Sequence, residues 1–235
     1  MEQNILIVTA ASLGFFHTLL GPDHYIPFIA LSKARGWAIR KTILITVLCG
    51  AGHVLSSVLL GIAGIASGIA LEKLELVESF RGSIAAWLLI LFGLGYLIYG
   101  IRRIFRDKPH RHVHGHSDGT IHNHEHTHAN GHVHVHESRD GKKLTPWILF
   151  IIFVFGPCEV LIPLVMYPAA QGNYSLLIVT TLVFAVTTVF TMVGIVLVSL
   201  LGIRFIRLTR VEKYVHALAG ILILACGLAI QFLGI

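Results

Sequence analysis

Charge is scarce in this chain. Only 13% of its 235 residues are Asp, Glu, Lys or Arg, against 55% hydrophobic, and the mean hydropathy is +0.78. A soluble domain of this length needs far more polar surface, so the composition excludes that class and points to membrane spans. Cysteine is nearly missing. Cys49, Cys158 and Cys226 all fall inside apolar runs, which argues against a disulfide framework. There is no Walker-type phosphate loop, no His-Glu-x-x-His run and no Gly-x-Ser-x-Gly run. ATP-driven transport and the common hydrolase chemistries are therefore disfavoured, and no enzymatic activity is expected. Met1 to Asn4 lack basic residues, and no small-residue cleavage site follows a short apolar core, so the first apolar stretch is expected to be a span.

Apolar length is abundant. Six runs, at about 4–32, 42–70, 83–101, 145–169, 174–201 and 215–234, reach or exceed the roughly 20 residues a bilayer core requires, which predicts an all-α integral membrane protein of six transmembrane helices. The charges sit between them. Loop one carries Lys33, Arg35, Arg40 and Lys41. Loop two, Glu72 to Arg81, holds Glu72, Glu75 and Glu78 against Lys73 and Arg81. Loop three begins with Arg102, Arg103, Arg106 and Lys108 and ends with Arg139, Lys142 and Lys143. Loop four is neutral, and loop five holds Arg204, Arg207, Arg210 and Lys213. The positive-inside rule puts loops one, three and five in the cytoplasm and both termini outside, with the cytoplasmic (inner) membrane as the expected location. Basic loops also account for the formal net charge of +6, so no nucleic-acid partner is expected.

The sequence repeats itself. Gly21-Pro22-Asp23-His24 in span one resembles Gly156-Pro157-Cys158-Glu159 in span four, at an offset of 135; Gly93 and Gly100 in span three match Gly227 and Gly234 in span six, at an offset of 134. Spans one and four run in opposite directions. The expectation is a 3+3 inverted repeat, with helix breaks at the Gly-Pro pairs of spans one and four. The chain then divides into a first three-helix repeat (1–106), a His-rich cytoplasmic loop (107–143) and a second three-helix repeat (144–235).

Ionisable groups inside spans default to function. His17 and His24 would lie about 10 Å apart along an intact helix, too far for one ion held at about 2 Å by each nitrogen. Pro22 has no N–H and crowds the preceding turn, and Gly21 eases distortion, so a break there can gather His17, Asp23 and His24 around one point. The bland alternative is a kink with histidines bonded to neighbouring helices. Cys158 and Glu159 follow the second Gly-Pro. Cys158 taken alone is a buried small hydrophobe, whereas Glu159, expected as an unpaired buried carboxylate, reads as a ligand, a proton carrier or both. His53, beside Gly50 and Gly52, is either a ligand or a single interhelical hydrogen bond. His216, beside Lys213 and Tyr214, is expected to be interfacial.

Eleven of the fifteen histidines fall between Pro109 and Lys143: His110, His112, His114, His116, His122, His124, His126, His128, His132, His134 and His136. With few large apolar residues this loop is expected to be disordered when metal-free and to bind ions weakly and unselectively; a proton buffer is the alternative. Imidazole suits late first-row metals, while magnesium and calcium want oxygen cages.

Together these residues resemble the nickel/cobalt transporter superfamily, with its urease-accessory (UreH-like) and nickel/cobalt-efflux branches, related to the LysE-type superfamily. That family carries a His-x4-Asp-His run in an early span, a Gly-His element in the next and a Pro-Cys element opening the second half. The matches are His17/Asp23/His24, Gly52-His53 and Pro157-Cys158; here the first run is His-x5-Asp-His, one residue longer. The resemblance covers all six spans and implies a secondary transporter of a divalent ion, nickel or cobalt first and zinc next, with His17, Asp23, His24, His53 and Cys158 as its metal residues and no resident cofactor; Glu159 joins that set from its place after the second Gly-Pro. Export is slightly favoured over import. The alternatives are an exporter of a sulfur-containing or organic anion, which would want a Lys or Arg in the membrane midplane, and a membrane metal sensor. Related thiol-electron carriers need one cysteine per half, and Asp23 occupies the matching place in the first half.

Overall fold

The computed structural model describes residues 2–106, 110–115, 121–126, 139–205 and 212–234. Among the described residues the chain is helical apart from one short hairpin. Helix α1 covers Glu2–Leu20, and a 3-10 turn, Pro22–His24, leads into α2, Ile26–Arg35; α3 (Ile39–Ala66) and α4 (Leu71–Arg106) follow. After the hairpin come α5 (Arg139–Phe155), α6 (Leu161–Ala170), α7 (Tyr174–Phe205) and α8 (Val215–Leu233). Among the described residues five helices are long and apolar enough to cross a bilayer: Gln3–Leu20, Ile39–Ala66, Leu71–Phe105, Tyr174–Ile203 and Glu212–Leu233. Leu144–Phe155 and Leu161–Ala170 are shorter apolar helices. Large apolar side chains face outward, with Phe190 78% and Val198 70% exposed, as suits a protein solvated by lipid. The chain is thus an integral membrane protein.

α1 stops where its chemistry demands. Gly21 precedes a proline, whose ring disfavours helical geometry in the residue before it, and Gly21 is extended at φ −86° and ψ 95°. Pro22 then has no N–H to return to the helix. The same dipeptide follows Phe155, and the chain resumes helix only at Leu161.

Two expectations about segments change. Residues 72–81 are not a loop: α4 begins at Leu71 and runs 36 residues, roughly 54 Å of helix. Glu78 and Arg81 are three residues apart on one face and form an ion pair at 2.6 Å, so the helix carries both charges inward. Within 107–143, residues 110–115 and 121–126 form antiparallel strands β1 and β2, with His110 opposite His126, His112 opposite His124 and His114 opposite His122. The His-x-His spacing has the period of two that a strand needs. The rest of that segment, before Arg139, lies outside the described residues.

Helices α4 and α8 pack closely through glycine. A Cβ on Gly93 would strike the backbone of Leu224, and one on Gly227 would meet the backbone of Ile90 at 2.8 Å. A core containing Phe28, Leu149, Phe153, Met192 and Ile223 fills the half of the bundle nearer the basic segments.

Candidate metal centre

Three elements converge on one point. His17 sits in the last turn of α1, His53 in the middle of α3, and Cys158 in the link between α5 and α6. Each offers one ligand atom, and these atoms lie within 4.8 Å of one another. The Cys158 Sγ stands 3.9 Å from the His17 Nε2. Cys158 is fully buried and His53 is 3% exposed.

His24 joins this group from the 3-10 turn. Its ring centroid is 4.7 Å from that of His17 and 5.1 Å from that of His53. Its Nδ1 faces two acceptors, the Gly21 carbonyl at 3.2 Å and Asp23 Oδ1 at 3.1 Å, so Nδ1 carries the proton. His53 Nδ1 likewise faces the Phe153 carbonyl at 3.3 Å. The consequence is the same for both rings. Nε2 is the lone-pair nitrogen, and both Nε2 atoms are buried with no hydrogen-bond partner. Buried polar atoms are rarely left in this state. Metal-bound histidines show the same arrangement: one nitrogen is held by a carbonyl or carboxylate, and the other is free for the ion.

Asp23 therefore acts through His24, whose ring it orients. Glu159 differs from the buried carboxylate expected of it. It is exposed, lines a cavity beside the group, and stands outside the trio. It follows Cys158 in non-helical chain, where Cys158 is buried and Glu159 exposed. The glycines of both interruptions press on the histidines: a Cβ on Gly21 would come within 3 Å of the His24 ring, and one on Gly156 would lie 3.0 Å from His53 Nδ1. Pro157 packs against Gly82 of α4, where a Cβ would lie 2.7 Å from its Cγ.

Arg81 is expected in loop two by its charge. Instead its side chain is 15% exposed and packs against the second interruption. It donates to Glu78 Oε1 at 2.6 Å, to Ser56 Oγ at 2.8 Å, and to the carbonyls of Val154 at 3.0 Å and Gly156 at 3.2 Å. Glu78 is 0% exposed. A guanidinium thus caps the carbonyls that end α5, satisfying groups an interrupted helix leaves open. The available signal was the Glu78–Arg81 spacing of three at the edge of an apolar run.

His216 bonds Tyr96 at 2.9 Å and Arg103 at 3.0 Å, well away from this centre. Of the loop histidines, His110, His112 and His114 lie on β1 and His122, His124 and His126 on β2; His116, His128, His132, His134 and His136 lie outside the described residues. Comparison of the chain with family models, curated proteins and solved structures found no match.

Proposed function

We propose that the protein is a secondary transporter of a divalent late first-row metal ion, nickel or cobalt foremost, and that His17, His24, His53 and Cys158 hold the ion in transit. One observation carries this reading: two buried imidazoles, each fixed through Nδ1, present unpartnered Nε2 atoms beside a third imidazole and a thiol. A metal–sulfur bond of about 2.3 Å and a metal–nitrogen bond of about 2.05 Å at a tetrahedral angle set the S···N edge near 3.6 Å. The observed 3.9 Å needs only a small contraction. The donor set is too soft for magnesium or calcium. An anionic cargo finds no free cation here, because Arg81 is committed to Glu78 and two carbonyls.

In this reading α1 with α2, and α5 with α6, each make one interrupted pass, giving six spans related as a 3+3 inverted repeat. The mutual seating of Gly93 and Gly227, each on the other's helix, suits such a relation. The basic segments face the cytoplasm of the inner membrane and the termini lie outside. The histidine-rich segment gathers or buffers ions at the cytoplasmic mouth, and export is the favoured direction.

Proteoliposomes loaded with radioactive nickel or cobalt test this. Time-dependent flux lost in Cys158→Ser and His53→Ala is expected. Saturable equilibrium binding with no flux under any ion gradient would replace transport with sensing.

A further inference from the structure

The metal group does not sit in a sealed core. His17, His24 and His53 line a cavity of about 710 Å³ that extends between α4, from Ser79 to Leu89, and the last turn of α8. Ser79 and Ser83 line it from α4, and Gln231 lines it from α8. Ser83 donates to the Gln231 Oε1 at 3.2 Å. Six waters at about 30 Å³ each need roughly 180 Å³, so a divalent ion with its first hydration shell fits with room to spare.

The cavity lining contains two carboxylates, Asp23 and Glu159, three histidines, and no Lys or Arg. Asp23 is turned to His24, which leaves Glu159 as the carboxylate facing the open part of the cavity. Arg81 stands nearby but is turned to Glu78 and the α5 carbonyls. A concave, low-dielectric wall that bears carboxylates and lacks Lys and Arg concentrates cations. Toward the basic segments the way is closed. Phe153 lines the cavity and meets Phe28 at a ring-centroid distance of 4.8 Å, with Leu149 and Met192 fully buried in the same cluster.

From this geometry we infer that the cavity is a cation vestibule on the non-cytoplasmic face, open in this conformation. Glu159 attracts a hydrated divalent ion there without ligating it, so that an ion leaving the metal group during export passes through the vestibule, and the Phe28–Phe153 contact closes the cytoplasmic side. The inference builds on the proposed metal cargo and on the orientation set by the basic segments. Glu159 suits this role because it is exposed and lies outside the trio, whereas a ligand would be buried with Cys158.

The test uses charged thiol reagents on Ser83→Cys, with Gln231→Cys as a second reporter if the first is not produced. Both are made on a Cys49→Ala/Cys226→Ala background that keeps the buried Cys158, and labelling of that background is subtracted. Intact cells and inverted vesicles are each treated with a membrane-impermeant cationic and an anionic methanethiosulfonate. In intact cells the cationic reagent is expected to react about tenfold faster, after correction for intrinsic reactivity, and Glu159→Gln should remove most of that preference. Equal rates for both reagents, labelling confined to inverted vesicles, or a preference untouched by Glu159→Gln would overturn the vestibule. Added nickel should slow labelling. Charge preference without nickel protection would keep the vestibule and remove the metal reading, so the two ideas fail separately.

Discussion

Replacing Arg81 with Met probes the contact that holds the second helix interruption together. Met keeps much of the length and removes every donor. Glu78, 0% exposed, then loses its cationic partner, and the Val154 and Gly156 carbonyls lose the Arg81 donor. Removing one member of a buried ion pair costs about 3–5 kcal/mol. We use about 3, because the Arg81 side chain keeps 15% of its surface exposed. The two carbonyls add about 1 kcal/mol together, since water reaches part of the site. The total, about 4 kcal/mol, lowers the folded-to-unfolded ratio roughly a thousandfold. The double variant Glu78→Gln/Arg81→Met strands no charge and should recover about half the loss. Reversible unfolding in mixed detergent micelles with increasing dodecyl sulfate, followed by tryptophan fluorescence, measures both. If Arg81→Met falls within about 1 kcal/mol of the parent, or the double variant is no more stable than the single one, the buried pair does not clamp this region.

Five further outcomes are expected. Replacing His17 or His24 with Ala should abolish nickel flux in proteoliposomes while membrane insertion persists; normal flux in both would place the ion elsewhere. Asp23→Ala removes the acceptor that orients His24 and should weaken nickel binding about 10–100-fold in equilibrium dialysis, less than loss of the His24 ring itself. Gly156→Val forces a side chain against His53 Nδ1, 3.0 Å from the position a Cβ would take, and should reduce nickel binding by at least tenfold, whereas Gly194→Val, where a Cβ meets nothing within 4 Å, should leave it unchanged. Deleting 109–140 should shift transport capacity modestly without changing metal choice, and in a metal-sensitive host the full chain should lower cell-associated nickel; a rise would reverse the direction.

The long apolar runs made the membrane class legible, because 18 or more apolar residues have few alternatives in a chain this short on charge. Parts of the candidate site were legible for a similar reason. His17, His24 and His53 are polar groups in apolar company, and Gly-Pro marks places where a helix cannot continue. What the sequence concealed was division of labour. Asp23 and Glu159 look alike as carboxylates next to a proline turn. Both line the cavity, yet Asp23 lies 3.1 Å from the His24 Nδ1 while Glu159 is exposed, and only the path of the non-helical chain decides which. Arg81 was hidden by charge counting. A hydropathy run that begins after it assigns it to a loop, and partners as distant in sequence as Val154 carry no local signal.

The two interruptions also explain why a site of this kind cannot be built on regular helix. Seven residues of α-helix separate His17 and His24 by about 10.5 Å, yet their rings lie 4.7 Å apart. Ending α1 at Leu20 achieves this approach, but it releases backbone carbonyls into an interior where each unpaired one costs about 1–3 kcal/mol. The two halves solve this differently. In the first, the candidate ligand is its own cap: His24 donates to the Gly21 carbonyl through both its backbone N–H, at 3.1 Å, and its ring Nδ1, at 3.2 Å. In the second, Cys158 has no such donor to spare, and the carbonyls are met from outside by His53 and Arg81. His53 and His24 therefore each hold a broken backbone with one nitrogen and leave the other buried without a hydrogen-bond partner. Reshaping either interruption would turn a ring that faces the site, which ties the backbone geometry of each half to its donor atoms.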